Sequence, residues 1–142
     1  MRALLDVNVL IALLDIDHAS HQSAAAWFSA HVRAGWASCP ITQNGCVRIM
    51  SNRAYRNPLP MDLVARRLGA ACEDKQHQFW PDDISFLDRK RFATTHVHNP
   101  RQLTDVYLLS LAVHNDGRFV TFDSGIALAA VVGAKPEHLV KL

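Results

Sequence analysis

"NPRQLTDVYLLSLAVHNDGRFVTFD", residues 99 to 123, reads as a helix, a stop signal and a strand in direct succession. Asn99 suits an N-cap and Pro100 the first helical position, while Gly117 stands just past the other end, so a helix is expected over about 100–116. The apolar run "RFVTF" at 118–122 has the length of a strand. One acid, Asp105, stands near the start of the helix and another, Asp123, directly follows the strand.

The same alternation extends in both directions. "RALLD" at 2–6, "GWASC" at 35–39, "HQFW" at 77–80 and "HLVKL" at 138–142 are further strand-length apolar runs. A helical pattern follows the first of them, and segments near 18–33, 42–54, 61–74, 84–92 and 124–131 are long enough for helices. Two prolines make "RNPLPMD" at 56–62 a loop. Strand and helix in regular alternation predict an α/β fold, a parallel sheet covered by helices.

With 142 residues and 49% hydrophobic content the chain has the size of one domain with a proper core. No apolar run approaches the roughly 20 residues needed to cross a bilayer. The opening "MRALLDVNVLIALLD" is interrupted by Asp6 and Asn8, so a soluble, cytoplasmic protein with no membrane partner is expected. Cys39, Cys46 and Cys72 form no C-x-x-C, which fits a reducing compartment and small core residues. Net charge is only +2, yet 11 of the 15 basic residues are Arg and 11 of the 13 acidic residues are Asp. Arg suits bidentate phosphate contacts and Asp suits hard-metal sites, a bias that hints at a polyanionic partner.

In a parallel sheet the carboxyl ends of the strands share one rim, so Asp6 and Asp123 are expected on the same edge, where open α/β sheets bind ligands. The helix macrodipole alone accounts for an Asp at the position of Asp105. If that helix packs beside the first and fourth strands, however, three carboxylates converge. Two charges about 4 Å apart repel by roughly 4 kcal/mol at an effective dielectric near 20, so the cluster needs protonation or a cation. Oxygen ligands favour magnesium or manganese, and such an ion can bind a phosphate oxygen and activate water for phosphodiester hydrolysis. Strand-end and helix-start aspartates also arise for structural reasons, and spacing along the chain does not establish proximity.

"LLDVNVLIALL", "LTDVYLLSLAV" and "FVTFDSG" together resemble the PIN-domain nucleases, and "CPITQNGCVRIMSN" is similar to their VapC group, the toxins of bacterial toxin–antitoxin pairs. The resemblance implies a PIN-like single domain over residues 1–142, with a five-stranded parallel sheet in the order 3-2-1-4-5 flanked by helices. It implies a Mg2+- or Mn2+-dependent endoribonuclease with Asp6, Asp105 and Asp123 as the acidic, metal-holding site, an RNA substrate such as tRNA, a VapB-like antitoxin and a homodimer. Asn8 matches the family's D-x-N opening and is expected to fix the Asp6 loop by hydrogen bonding; Thr121 is a candidate support for Asp123.

One position departs from the family. Many relatives carry Glu where Gln43 stands, and a carboxamide supplies neither negative charge nor a useful base, so Gln43 is expected to orient the site without moving protons. Three Asp without that Glu suit one tightly held divalent cation. A substitute acid from Asp82 or Asp83 competes with the reading of "PDDIS" as a helix start.

Arg48, Arg53, Arg56, Arg66 and Arg67 fall within 20 residues and suggest an RNA track, with Arg48 the first candidate for a substrate contact or a pair with a site Asp. The competing reading is a solvated helix face. No H-E-x-x-H, zinc-finger spacing or G-x-S-x-G motif supports a zinc or serine-nucleophile mechanism. A PIN-fold module that binds RNA or an antitoxin without cleaving is the alternative function. A phosphoacceptor role is disfavoured, because no lysine is suitably placed after a late strand.

Overall fold

The computed structural model describes all 142 residues. Five short strands, β1 (Ala3–Leu5), β2 (Trp36–Ser38), β3 (His77–Phe79), β4 (Arg118–Thr121) and β5 (Leu139–Lys141), form one sheet. Its order is β3-β2-β1-β4-β5 and every pairing is parallel, as expected. The α-helices are α1 (Val7–Leu14), α2 (His21–His31), α3 (Pro40–Met50), α4 (Met61–Cys72) and α5 (Leu103–His114).

Side chains alternate across a strand, so each strand feeds two cores. Leu4, Ala37 and Phe119 pack with Val106, Leu108, Leu109 and Leu111 of α5 on one face. Ala3, Leu5, Trp36 and Val120 pack with Val9, Leu10 and Ile11 of α1 and with Val64 and Leu68 of α4 on the other. Asp6 and Thr121 continue the parity of Leu4 and Phe119 and so belong to the α5 face; Ser38 continues the parity of Trp36 and belongs to the opposite one. No helix is long and apolar enough to cross a membrane, and the three cysteines are free.

The predicted start of the long helix is a single turn of 3-10 helix, Pro100–Gln102, running directly into α5. Asn99 caps it by accepting from the Arg101 amide at 2.9 Å.

Two expected helices do not form. Residues 84–92 are turns and extended chain, and 124–131 holds only the 3-10 turn Leu128–Ala130. The two stretches pair with each other instead: Phe92 bridges Val131 antiparallel, Ala93 N donates to Ala130 O at 3.0 Å, and Val132 N donates to Arg91 O at 2.9 Å. Phe92 and Val131 are buried there, so hydrogen bonds across the two segments replace those a helix would make within each. Asp82, read as a possible helix cap for its own segment, accepts from Ile41 N at 3.2 Å and caps α3.

Candidate acidic site at the sheet edge

Asp6 ends β1 and begins α1. Its Oδ1 accepts from Val7 N at 2.7 Å as the helix N-cap, and its Oδ2 accepts from the Thr121 hydroxyl at 2.7 Å. Both oxygens are thus held by donors while the residue is only 6% exposed. Burial pushes the Asp6 carboxyl above the usual carboxylate range; the two hydrogen bonds pull the other way, and the charge of Asp123 adds to the rise.

Asp123 lies on the exposed loop beyond β4. Its amide donates to Thr121 Oγ1 at 3.0 Å, and its own Oδ1 accepts from Gly125 N at 2.7 Å, fixing the loop around the carboxylate. Thr121, fully buried, therefore joins two of the three expected acids through one hydroxyl. From the sequence, Thr121 is expected to support Asp123 alone.

Asp105 sits in the first turn of α5, half-buried, and makes no hydrogen bond. Its carboxyl is pushed up to about 6, first by burial and then by the charges of Asp6 and Asp123. The start of α5 is tied to the Asp123 loop by Gln102 Nε2, which donates to Gly125 O at 3.0 Å. The three carboxylates thus act on one another across the β1–β4 end of the sheet, although their side chains do not close into a compact ligand cluster. In donor chemistry they fit a hard divalent cation: oxygen ligands only, surplus negative charge, and one carboxylate with no competing donor.

Two other expectations are corrected. Asn8 is exposed on α1 and makes no side-chain hydrogen bond; Asp6 fixes its own turn through Val7 N and needs no help from it. Gln43 Nε2 donates to Ser38 Oγ at 2.9 Å, and that hydroxyl lies 2.8 Å from His77 Nε2. Ser38 is on the face opposite Asp6, so the Gln43 amide donates to β2 and bonds none of the three acids. The polar chain Gln43–Ser38–His77 has no motif in the sequence; only the register of β2 with β3, which sets Trp36 opposite His77 and Ser38 opposite Phe79, brings it together.

Arg48 is exposed on α3 and pairs with none of the site aspartates. Of its basic neighbours Arg66 pairs with Asp62 at 3.2 Å, an exposed contact worth little, while Arg53, Arg56 and Arg67 are exposed. Asp83 is exposed beside His114, away from the three acids.

A family model described as "PIN domain" matches residues 3–132. The chain is 51% identical over its full length, and over that of the relative, to Ribonuclease VapC44 of Mycobacterium tuberculosis. It is 42% identical to Ribonuclease VapC39 of the same organism, covering 94% of this chain and 96% of the relative, and 39% identical to Ribonuclease VapC29, covering 89% and 90%. With the expected strand order, a family match across most of its length and full-length similarity to these ribonucleases, the chain belongs to the PIN domain family, in its VapC group.

Proposed function

We propose that this chain is an endoribonuclease toxin of a toxin–antitoxin pair, its 142 residues acting as one PIN domain that hydrolyses RNA phosphodiester bonds with Asp6, Asp105 and Asp123 as the catalytic acids. The supporting observation is that Asp105 on α5, half-buried and without a donor, is pushed up to about 6 first by burial and then by the charges of Asp6 after β1 and Asp123 in the loop after β4. Such an arrangement costs stability unless protonation or a cation relieves it, and a bound cation would give it a chemical use.

Asp6, Asp105 and Asp123 would hold Mg2+ or Mn2+, and their charge of about −3 suits one tightly held ion. Bound there, the ion supplies Lewis acidity toward a phosphate oxygen and makes water easier to deprotonate. The chain's own residues do the positioning. Thr121 and Val7 N fix Asp6, Gly125 N fixes one oxygen of Asp123, and Asp105, with no hydrogen-bond donor of its own, keeps both oxygens open toward the cation. Arg48 contributes a phosphate contact from α3.

The substrate is RNA with an accessible single-stranded backbone, tRNA loops among the candidates, since sequence-specific readers favour unstacked bases. A VapB-like antitoxin would silence the site, and the toxin would act in the cytoplasm as a homodimer.

Magnesium-dependent RNA cleavage by the purified chain, lost in Asp6→Asn prepared in parallel, is the expected result. Equal cleavage by both proteins, or by neither, would overturn the reading. The carboxamide at position 43 favours a second possibility, an RNA- or antitoxin-binding module without cleavage, because the site then lacks a fourth acid. RNA binding without any magnesium-dependent cleavage would select it.

A further inference from the structure

A groove of about 470 Å³ runs between α3 and the start of α4, lined by Asn44, Val47, Arg48, Ser51, Asn52 and Met61. That volume falls within the range of sites that take a compact molecule, about 300–1,000 Å³. No carboxylate lines it, and its single charge, Arg48, makes neither an ion pair nor a hydrogen bond. Asp62, the nearest acid on α4, is occupied by Arg66.

The polar side chains at its wall differ in what they leave free. Ser51 donates its hydroxyl to Val47 O at 2.7 Å. Asn52 Oδ1 accepts from Ala54 N at 2.9 Å, which turns that oxygen to its own loop and leaves the Asn52 NH2 free to donate. Asn44 is exposed and makes no hydrogen bond, so both its donor and its acceptor are free. A carboxamide with both functions free can make a bidentate contact with a base edge. Val47 and Met61 supply an apolar flank, Met61 being 64% exposed, and a thioether packs favourably against an aromatic ring.

The groove starts in the first turns of α3, which follows the carboxyl end of β2, the rim of the sheet that also carries Asp6 and Asp123. Gly45, next to Asn44, packs so closely on Val7 that a Cβ there would lie 2.7 Å from Val7 Cγ2, and Val7 directly follows Asp6. One helical turn separates Asn44 from Arg48, so the free amide stands at the rim and the cation a turn farther along α3.

Resting on the nuclease reading for its cleavage role, we infer that this groove is the sequence-reading subsite for single-stranded RNA. Arg48 binds a backbone phosphate, Asn44 reads the edge of one unstacked base, and Met61 and Val47 carry the face of that base. A double helix would keep the base stacked and its Watson–Crick edge occupied, so duplex RNA does not fit.

Binding is separated from cleavage by placing every variant in the full-length Asp6→Asn chain and titrating a short fluorescent RNA of random sequence, single-stranded or duplex. Arg48→Ala is expected to weaken single-strand binding roughly tenfold and to lower the salt slope by about 0.7, the share of one phosphate on a single strand. Sequences enriched from a random single-stranded pool should lose a preference at one position in Asn44→Ala. In Asn44→Asp, which only accepts, that preference should move toward a base offering a donor, such as cytosine N4. Unchanged affinity and salt slope in Arg48→Ala, unchanged enrichment in both Asn44 variants, equal affinity for duplex, or no RNA binding would each overturn the inference. Groove-dependent binding by a chain that never cleaves would overturn the nuclease reading and leave the subsite standing. Magnesium-dependent cleavage with neutral groove variants would do the reverse.

Discussion

The Thr121 hydroxyl donates to Asp6 Oδ2 at 2.7 Å between residues 115 positions apart, and the same oxygen accepts from Asp123 N at 3.0 Å. One buried side chain thereby sets the end of β1 against the end of β4. Thr121→Val keeps the shape and β-branching but leaves the Asp123 amide and one Asp6 oxygen without partners. A loss of about 2 kcal/mol in urea unfolding is expected, since stranded polar groups near a core cost about 1–3 kcal/mol. Cleavage should fall about 10- to 100-fold, the usual effect of removing a hydrogen bond that orients a metal-binding acid. Thr121→Ser retains the hydroxyl and should recover most of the activity; equal losses in both variants would mean that packing matters and the hydroxyl does not.

The acids also make stability depend on pH. Asp105 rises from an ordinary 3.8 to about 6 on folding, so the folded chain binds this proton more tightly than the unfolded one. In buffer free of divalent cations, the contribution of Asp105 to stability should be fully present below 3.8, be lost as pH climbs through the window to about 6, and level off above it, while Asp15, lowered by its hydrogen bond from Tyr55, contributes with the opposite sign. Asp6, raised mainly by burial, adds to the Asp105 trend. Asp105→Asn should flatten this profile and raise the melting temperature by about 4 °C at pH 7, corresponding to roughly 1 kcal/mol for a domain of this size. Cleavage should be abolished. A melting temperature lower than that of the unmodified chain would show that the acid is not under electrostatic strain.

How much of this was readable beforehand differs by element. Asn99 and Gly117 marked the ends of the helix around Asp105 because capping is local chemistry, and that helix forms where expected. Asp6 and Asp123 could be assigned to one rim because strand direction in a parallel sheet is a global rule. The helix expected at 84–92 had adequate local composition, but Phe92 and Val131 bury one another across nearly 40 residues, a contact that periodicity cannot reveal. Gln43 failed similarly. Its residue type excluded a charge correctly, but its direction depends on Ser38 and His77, which only the β2–β3 register brings within reach. Family resemblance supplied the place of the acid and not the orientation of its replacement.

Gln43→Glu tests that orientation directly. The present amide donates to Ser38 Oγ, leaving that hydroxyl free to donate to His77 Nε2, whose imidazole burial holds below its ordinary pKa and therefore neutral. A carboxylate at position 43 can only accept, so Ser38 must turn its proton toward it and lose His77 as an acceptor. Destabilisation of about 1 kcal/mol is expected, with no gain in cleavage rate. A clear rise in cleavage at unchanged urea midpoint would place residue 43 at the acidic site instead.

Gly45 is the remaining lever on the geometry of Asp6. A Cβ added there would meet Val7 Cγ2 at 2.7 Å and Cγ1 at 3.2 Å, and a β-branched valine inside a helix has little rotameric freedom to yield. Gly45→Ala must therefore push α3 away from the first turn of α1, the turn that Asp6 caps. A loss of about 1–3 kcal/mol is expected from overpacking, partly offset by the better helix propensity of alanine. Cleavage should decline more than the stability loss alone explains, because the displaced turn carries the Val7 amide that holds Asp6 Oδ1. Val7→Ala removes the methyl groups that clash, so the double variant should regain stability beyond the sum of the two single changes, with a coupling of about 1 kcal/mol in a double-mutant cycle. Strict additivity would show that the two helices do not press on each other, and the link from α3 to the acidic site would have to run elsewhere.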